Sequence, residues 1–551
     1  MYQGANFVLV ASNIMSRARE YSYHLLREHK SVGLSFHWRS GSLMRAPKRR
    51  FCSSSLTSNQ YLISRMPSST INSSNSGHTL RKRRCCAFVQ KPITYVRRQR
   101  RTFITLDLSS VDFQEYYNGF ANRVLWPILH YRVDLAEFTS VELTGYLRVN
   151  ALFANALCPF IQPDDVIWVH DYHLLSLAKE LRALGHDNPI GFFLHIPCPS
   201  PDLLMALPQH AETVGALTHY DLVGLQTEAD ADNLRRYFEI RHGIAGPTRE
   251  AFEFGGSYVH VRTFPVAIDT AAYARVARNA VKSPLVTGVR DSLGDRRLIL
   301  GVDRLDYSKG IPDRIQAFGH FLDTQPKWLG RVTFLQITPK SRAEVPEYAA
   351  IDRTVSTIVG QINGRHGEAA WTPIRYVNRS YSRSSLAGLF RSAHIGLVTP
   401  LRDGMNLVAK EYVAAQAPDD PGVLVLSRFA GAAAELDGAL IVNPHEVEAV
   451  AEAIGTALEM PLEERKERHG RMFTHLVTNN VDRWAEQFLS ALAESRQRPG
   501  VLVLRLTDWS DQVAIRFRGS EPAREHACDR VHGYDRAGLG PGVRSFRRPG
   551  T

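Results

Sequence analysis

Thr399-Pro-Leu-Arg-Asp-Gly-Met-Asn-Leu-Val-Ala-Lys-Glu411 follows the apolar run Ile395-Gly-Leu-Val398. It reads as a buried strand, a tight polar turn and a helix that opens near Asn406. Such a turn leaves backbone N–H groups pointing out of the positive end of the helix, where a phosphate or diphosphate is readily held. Glu411 lies about one turn into the helix, within reach of a sugar hydroxyl. Upstream, Gly301-Val-Asp-Arg-Leu-Asp-Tyr-Ser-Lys-Gly310 places two cations, Arg304 and Lys309, just past a second apolar strand, Leu298-Ile-Leu300. One strand-end loop with anion-binding amides and one with cations imply a nucleotide-sugar or phosphosugar site.

The same alternation extends outward. Val166-Ile-Trp-Val169 ends at His170-Asp171, and Gly191-Phe-Phe-Leu194 ends at His195. Helical spacing over 174–184 separates these two strands; a helical pattern over 203–217, a third strand at 222–225 and a helix over 230–238 follow. After a break near 269–295 the alternation restarts, with strands at 298–302, 332–337, 374–377, 395–398, 423–426 and 439–442. Continuous apolar strands separated by helices predict parallel sheets covered on both faces. The fold class is therefore α/β, with two doubly wound Rossmann-like domains facing a cleft. Asp171, His195, Arg304, Thr338 to Arg342 and Arg402–Asp403 all fall just past strand carboxyl ends, where open α/β sheets bind ligands.

Composition limits the reading without deciding it. The chain has 551 residues, 44% of them hydrophobic, enough for two sizeable cores. No apolar run approaches the roughly 18 residues that span a membrane. The six cysteines (Cys52, Cys85, Cys86, Cys158, Cys198 and Cys528) lack metal-finger spacing, a usage expected of a reducing, cytoplasmic setting. The formal charge of +12 is uneven: residues 1–101 carry +17 and the remainder −5. Residues 1–105 are Ser- and Arg-rich, with a basic cluster at Arg81-Lys-Arg-Arg84. They are open to three readings: a disordered basic arm, a transit peptide or an out-of-frame segment, the last preferred. Residues 496–551 form an Arg/Gly-rich tail expected to be disordered. No RNA- or DNA-binding motif accompanies the charge, so no nucleic-acid partner is expected.

Residues 106–495, roughly 70% of the chain, closely resemble the trehalose-6-phosphate synthase family, retaining glycosyltransferases of GT-B architecture. The resemblance runs through Glu115-Tyr-Tyr-Asn118, Val124-Leu-Trp-Pro127, Gly145-Tyr-Leu-Arg-Val-Asn150, Trp168-Val-His-Asp-Tyr-His173, Gly191-Phe-Phe-Leu-His-Ile-Pro197, Arg304-Leu-Asp-Tyr-Ser-Lys-Gly310, Gln361-Ile-Asn-Gly364 and the 396–416 run. It implies an acceptor domain over 106–275, a nucleotide-sugar domain over 276–495, and transfer of glucose from UDP-glucose to glucose 6-phosphate. No metal or other cofactor is implied; a homo-oligomer is expected. Carried over, Arg304 and Lys309 hold the donor diphosphate, and Leu407, Val408, Ala409, Lys410 and Glu411 cradle it, with Glu411 on the ribose. Asp403 contacts the donor glucose, His195 the transferred sugar, and Tyr381 lies near the nucleobase. Tyr117, Trp126, Asp171 and Arg342 shape the acceptor pocket. Asp171, His195, Arg304, Lys309 and Asp403 form the catalytic set.

Several residues invite a blander reading. His170 and His173 flank Asp171 but diverge in so short a run, and are expected to be structural. Asp230-Ala-Asp232 looks like a metal motif of other transferases, yet sits where a helix begins and is read as a capping cluster. The family's opening strand and Gly-rich loop are not found in residues 1–105; Gly33 to Gly41, with Trp38, is a faint echo of the segment that follows them. Two alternatives therefore stand beside the synthase reading: a catalytically dead donor-binding or regulatory homologue, and a glucosylglycerol-phosphate synthase.

Overall fold

The computed structural model describes residues 7–11, 31–37, 93–98, 101–243, 248–340 and 346–496. Arg342 and Trp38 lie outside the described residues.

Two sheets organise the chain. The second has six parallel strands: β10 (Arg297–Val302), β11 (Val332–Ile337), β12 (Ile374–Val377), β13 (Ile395–Val398), β14 (Val423–Ser427) and β15 (Leu440–Val442). Their spatial order is β12-β11-β10-β13-β14-β15, the doubly wound arrangement whose direction reverses between β10 and β13. The loops that carry Arg304, Lys309 and Asp403 leave these two strands. All six strand segments predicted here are present.

The first sheet contains β5 (Val166–His170), β6 (Ile190–Phe193), β7 (Leu222–Leu225) and the antiparallel hairpin β8 (Ala251–Phe254) to β9 (Ser257–Thr263). It also contains four backbone segments from the beginning of the chain: β1 (Phe7–Ala11), β2 (Ser31–His37), β3 (Ile93–Arg98) and β4 (Arg101–Asp107). The order β3-β4-β2-β1-β5-β6-β7-β9-β8 repeats the reversal, here between β1 and β5. The sequence reading left the centre of this sheet without its opening strand. The backbone of Phe7–Ala11 occupies that place, parallel to both β2 and β5, with Val10 opposite Val169 and Ala11 opposite His170. Asp171 thus follows directly from a strand at the switch point.

Two further departures have physical causes. The helix expected over 203–217 is broken into Pro201–Met205, His210–Thr213 and a tight 3-10 stretch, Val214–His219. Pro208 interrupts it, since proline supplies no N–H and disfavours helix in the residue before it. The helix Val481–Ser495, read with the second domain, packs on the first sheet against β7 and β9. Trp484, Phe488 and Leu492 recur at four-residue spacing along one buried face, and the Phe488 ring stacks on Trp168 with centroids 4.3 Å apart. The two halves therefore share one continuous apolar cluster, from Val166 and Trp168 to Leu298 and Tyr412. Among the described residues, no helix is long and apolar enough to cross a membrane.

Candidate active site

The donor-side loops converge on an ion pair. β10 ends at Val302, and the tight turn Tyr307–Lys309 follows, held by Asp306, whose carboxylate accepts from the Ser308 N–H at 3.0 Å and the Ser308 hydroxyl at 2.9 Å. Tyr348 donates its hydroxyl to the other Asp306 oxygen at 3.1 Å. The turn directs Lys309 Nζ to within 2.5 Å of Asp403 Oδ2. Asp403 also accepts from Asn406 Nδ2 at 3.0 Å and from the Gly404 N–H at 3.1 Å. Gly310 closes this turn at φ 59°, and a Cβ there would sit 2.6 Å from the Thr399 carbonyl oxygen, so only glycine serves.

Asn406 begins the helix Leu407–Ala415, as expected, and does so in the left-handed region at φ 67°, with its side chain accepting from the Ala409 N–H. By the geometry of a helix start, the amides of Leu407 and Val408 face outward. Ala409, Lys410 and Glu411 are buried. The Lys410 ammonium is turned into the core, where it donates to the Val266 carbonyl at 2.8 Å and to Glu435 at 2.5 Å. Its side chain is structural, so any donor contact it makes belongs to its backbone.

Arg304 keeps 43% of its side chain exposed and pairs loosely with Asp306, 3.8 Å away. Its guanidinium lies over the Trp126 ring at 5.5 Å, joining the second domain to the first. Trp126 is buried, with its ring 4.0 Å from that of His130 and 5.7 Å from that of Tyr172. Tyr117 is stacked 5.7 Å from His173, at 15°. His173 is thus a buried packing ring, as read. Tyr381 packs partly buried against the second-domain core; the Lys309–Asp403 ion pair does not include it.

On the acceptor side, Asp171 is buried with φ 75° and ψ 161°, a backbone region that side chains other than glycine rarely enter. Such strain concentrates at functional positions. His195 leaves β6, and its Nε2 is 3.0 Å from His170 Nδ1. Burial pushes His195 down to about 4 and His170 well below the usual imidazole range. Both rings are neutral near pH 7, one donating and one accepting. His170 is therefore more than the packing residue the sequence suggested; it orients His195. The cleft closes beside this pair, for a Cβ on Gly404 would lie 2.3 Å from the His195 carbonyl oxygen.

Two contributors escaped the sequence reading. Arg314 is wholly buried and donates to Asp303 at 2.7 Å, Thr399 Oγ1 at 2.9 Å and the Lys309 carbonyl at 3.1 Å, pinning both donor loops together. A signal was available: Arg314 interrupts the apolar stripe Ile311, Ile315, Phe318 of its helix. Asp306 was visible only as part of a motif. The Asp230–Asp232 pair is a helix-start cluster, as expected, although the cap itself is Thr227; Asp230 accepts from the Thr227 hydroxyl and the Cys198 N–H, while Asp232 pairs with Arg235. Among the described residues, no group of three His, Cys, Asp or Glu side chains is arranged to hold a metal ion.

Residues 76–494 match glycosyltransferase family 20. The chain belongs to that family. A trehalose-6-phosphate synthase of Sinorhizobium fredii is 53% identical to this family 20 transferase over 413 residues, covering 74% of this chain and 88% of that one. Among solved structures, the E. coli trehalose-6-phosphate protein bound with UDP-2-fluoro glucose aligns with a TM-score of 0.78 and 37% identity, covering 90% of this chain and 99% of that one. The UDP-forming α,α-trehalose-phosphate synthase of Burkholderia xenovorans in complex with glucose-6-phosphate aligns with a TM-score of 0.77 and 40% identity, over 89% of this chain and all of the other. The transferase thus has the GT-B architecture, two Rossmann-like domains with their strand ends facing one cleft.

Proposed function

We propose that this chain transfers glucose from UDP-glucose to glucose 6-phosphate with retention, yielding α,α-trehalose 6-phosphate and UDP. The observation that carries the reading is the meeting of Lys309 and Asp403 at 2.5 Å beside the amide-rich start of the helix Leu407–Ala415. A cation, a carboxylate and a helix N-terminus there suit a sugar joined to a diphosphate. The relatives that hold UDP-2-fluoro glucose and glucose-6-phosphate favour these substrates.

In this reading the diphosphate lies against the amides of Leu407 and Val408, with Arg304 and Lys309 as counter-charges. Glu411 takes the ribose, and Tyr381 lies near the base. Asp403 and His195 hold the transferred glucose, His195 as a neutral hydrogen-bonding ring. Tyr117, Trp126, Asp171 and Arg342 hold the acceptor. The bond from the anomeric carbon to the diphosphate oxygen breaks as the acceptor hydroxyl attacks the same face, and its proton passes to the departing oxygen. Orientation and charge stabilisation do the protein's part. The growing charge on the leaving group is met by Arg304 and Lys309, and no step calls on a metal ion. The reading also makes the chain a cytoplasmic homo-oligomer, which light scattering and cell fractionation check.

The test is product formation by purified full-length protein, following UDP release and the disaccharide phosphate together. Both products in equal amounts support the reading. Folded protein that binds UDP without turnover overturns it, and preferred use of glycerol 3-phosphate reassigns the acceptor.

A further inference from the structure

Arg402 has no role in the scheme above, yet it bridges the two domains. Its guanidinium lies 4.1 Å from the ring centre of Tyr131, in the first domain, and 5.0 Å from that of Phe429, in the second. A cation between two partly buried aromatic faces is worth more than one at an open surface. Tyr131 reaches it from a left-handed backbone, φ 63°, which few non-glycine residues adopt. The same short loop is fastened on every side. The Leu401 N–H donates to the Ser308 carbonyl at 2.8 Å, the Asp403 N–H to the Phe429 carbonyl at 3.1 Å, and the Gly431 N–H to the Asp403 carbonyl at 3.3 Å. One residue further, Gly404 abuts the His195 backbone.

We infer that Arg402 is a positioning residue: clasped between Tyr131 and Phe429, it latches the Asp403 loop onto the first domain and so holds Asp403 and His195 on opposite sides of one sugar. The latch acts by holding the loop in place, since the guanidinium meets the two rings and the carboxylate that meets the donor is its neighbour's. Because both residues of the pair are needed to keep the cleft closed, loss of either removes the same increment of ordered site.

This rests on the glucosyl-transfer reading, and the experiment separates the two. Arg402→Leu, Tyr131→Leu, their combination and Tyr131→Phe are assayed for transfer, UDP affinity and thermal midpoint. Each leucine variant is expected to lose roughly tenfold in kcat/KM for the sugar nucleotide, with the combined variant no worse than either single one. Tyr131→Phe, which keeps the ring, restores most of the rate. Some fall in thermal midpoint accompanies loss of the contact; a merely structural contact would lower the midpoint and leave kcat/KM of the folded protein unchanged. Single-variant effects that multiply in the combination, or an Arg402→Leu rate within about twofold of the parent, overturn the latch. If the parent protein makes no disaccharide phosphate, the transfer reading fails. The latch is then judged on UDP affinity: a shared, non-multiplying loss supports it, and independent losses overturn it.

Discussion

Lys309 Nζ and Asp403 Oδ2, 94 residues apart in the chain, lie 2.5 Å from each other at the mouth of the second sheet. The pair does two things at once. It neutralises a half-enclosed carboxylate, and it sets a cation at the start of the helix Leu407–Ala415. We expect Lys309→Ala to lower kcat by at least about 10²–10³-fold, the usual cost of one stabilising contact on a developing anion. Steady-state UDP release, with UDP affinity measured by calorimetry, checks this. Turnover near that of the parent would refute the assignment.

Gly404 tests how tightly the two domains must close. A Cβ at this position meets the His195 carbonyl oxygen at 2.3 Å and the Ile196 Cα at 2.9 Å, both backbone atoms that cannot rotate away. Gly404→Ala therefore pushes the Asp403 loop from the first domain. A displacement of about an ångström at a reacting centre costs on the order of 10²-fold in rate. Initial rates and a thermal scan together show whether activity falls while the fold survives.

The backbone of Asp171 gives a stability test independent of activity. Its φ of 75° and ψ of 161° suit glycine, and strain of this kind costs about 1–3 kcal/mol. Asp171→Ala retains the strain and Asp171→Gly relieves it. Both should fail in transfer, while the glycine variant is the more stable by roughly that amount in urea titration. Equal stabilities would remove the strain from the account.

Acid should weaken the fold before it reaches the carboxylates. His130, His195 and His394 are each held down to about 4, chiefly by burial. The unfolded chain binds protons at these rings near the ordinary imidazole value of about 6.5, whereas the folded chain does not until about 4. Stability is therefore complete above about pH 6.5 and falls continuously toward pH 4. His394, whose Nδ1 accepts from the Leu298 N–H at 3.3 Å, is outside the cleft. His394→Asn should flatten the slope of thermal midpoint against pH without altering its sign. A slope unchanged by that substitution would contradict the assignment.

Much of this was legible without coordinates. The second sheet was readable because buried parallel strands are continuous apolar runs, and its ligand loops follow those runs directly. Lys309, Arg304 and Asp403 were readable for the same reason. Phe7–Ala11 was harder to recognise, because five apolar residues inside a basic, Ser-rich segment carry little signal until β5 supplies a partner. His170 looked like a packing residue because its bond to His195 joins two different strands.

By itself, then, the sequence determined the fold class, the positions of the strand ends and the charge carried at each, since local hydrophobic patterning and turn chemistry specify these within a few residues. The tertiary structure alone decided which loops meet: Lys309 with Asp403, His170 with His195, Arg314 with both donor loops and Arg402 with Tyr131. Those contacts join residues far apart in the chain. Their geometry comes from how two twisted sheets and the returning helix Val481–Ser495 pack into one apolar core, a property no local pattern contains.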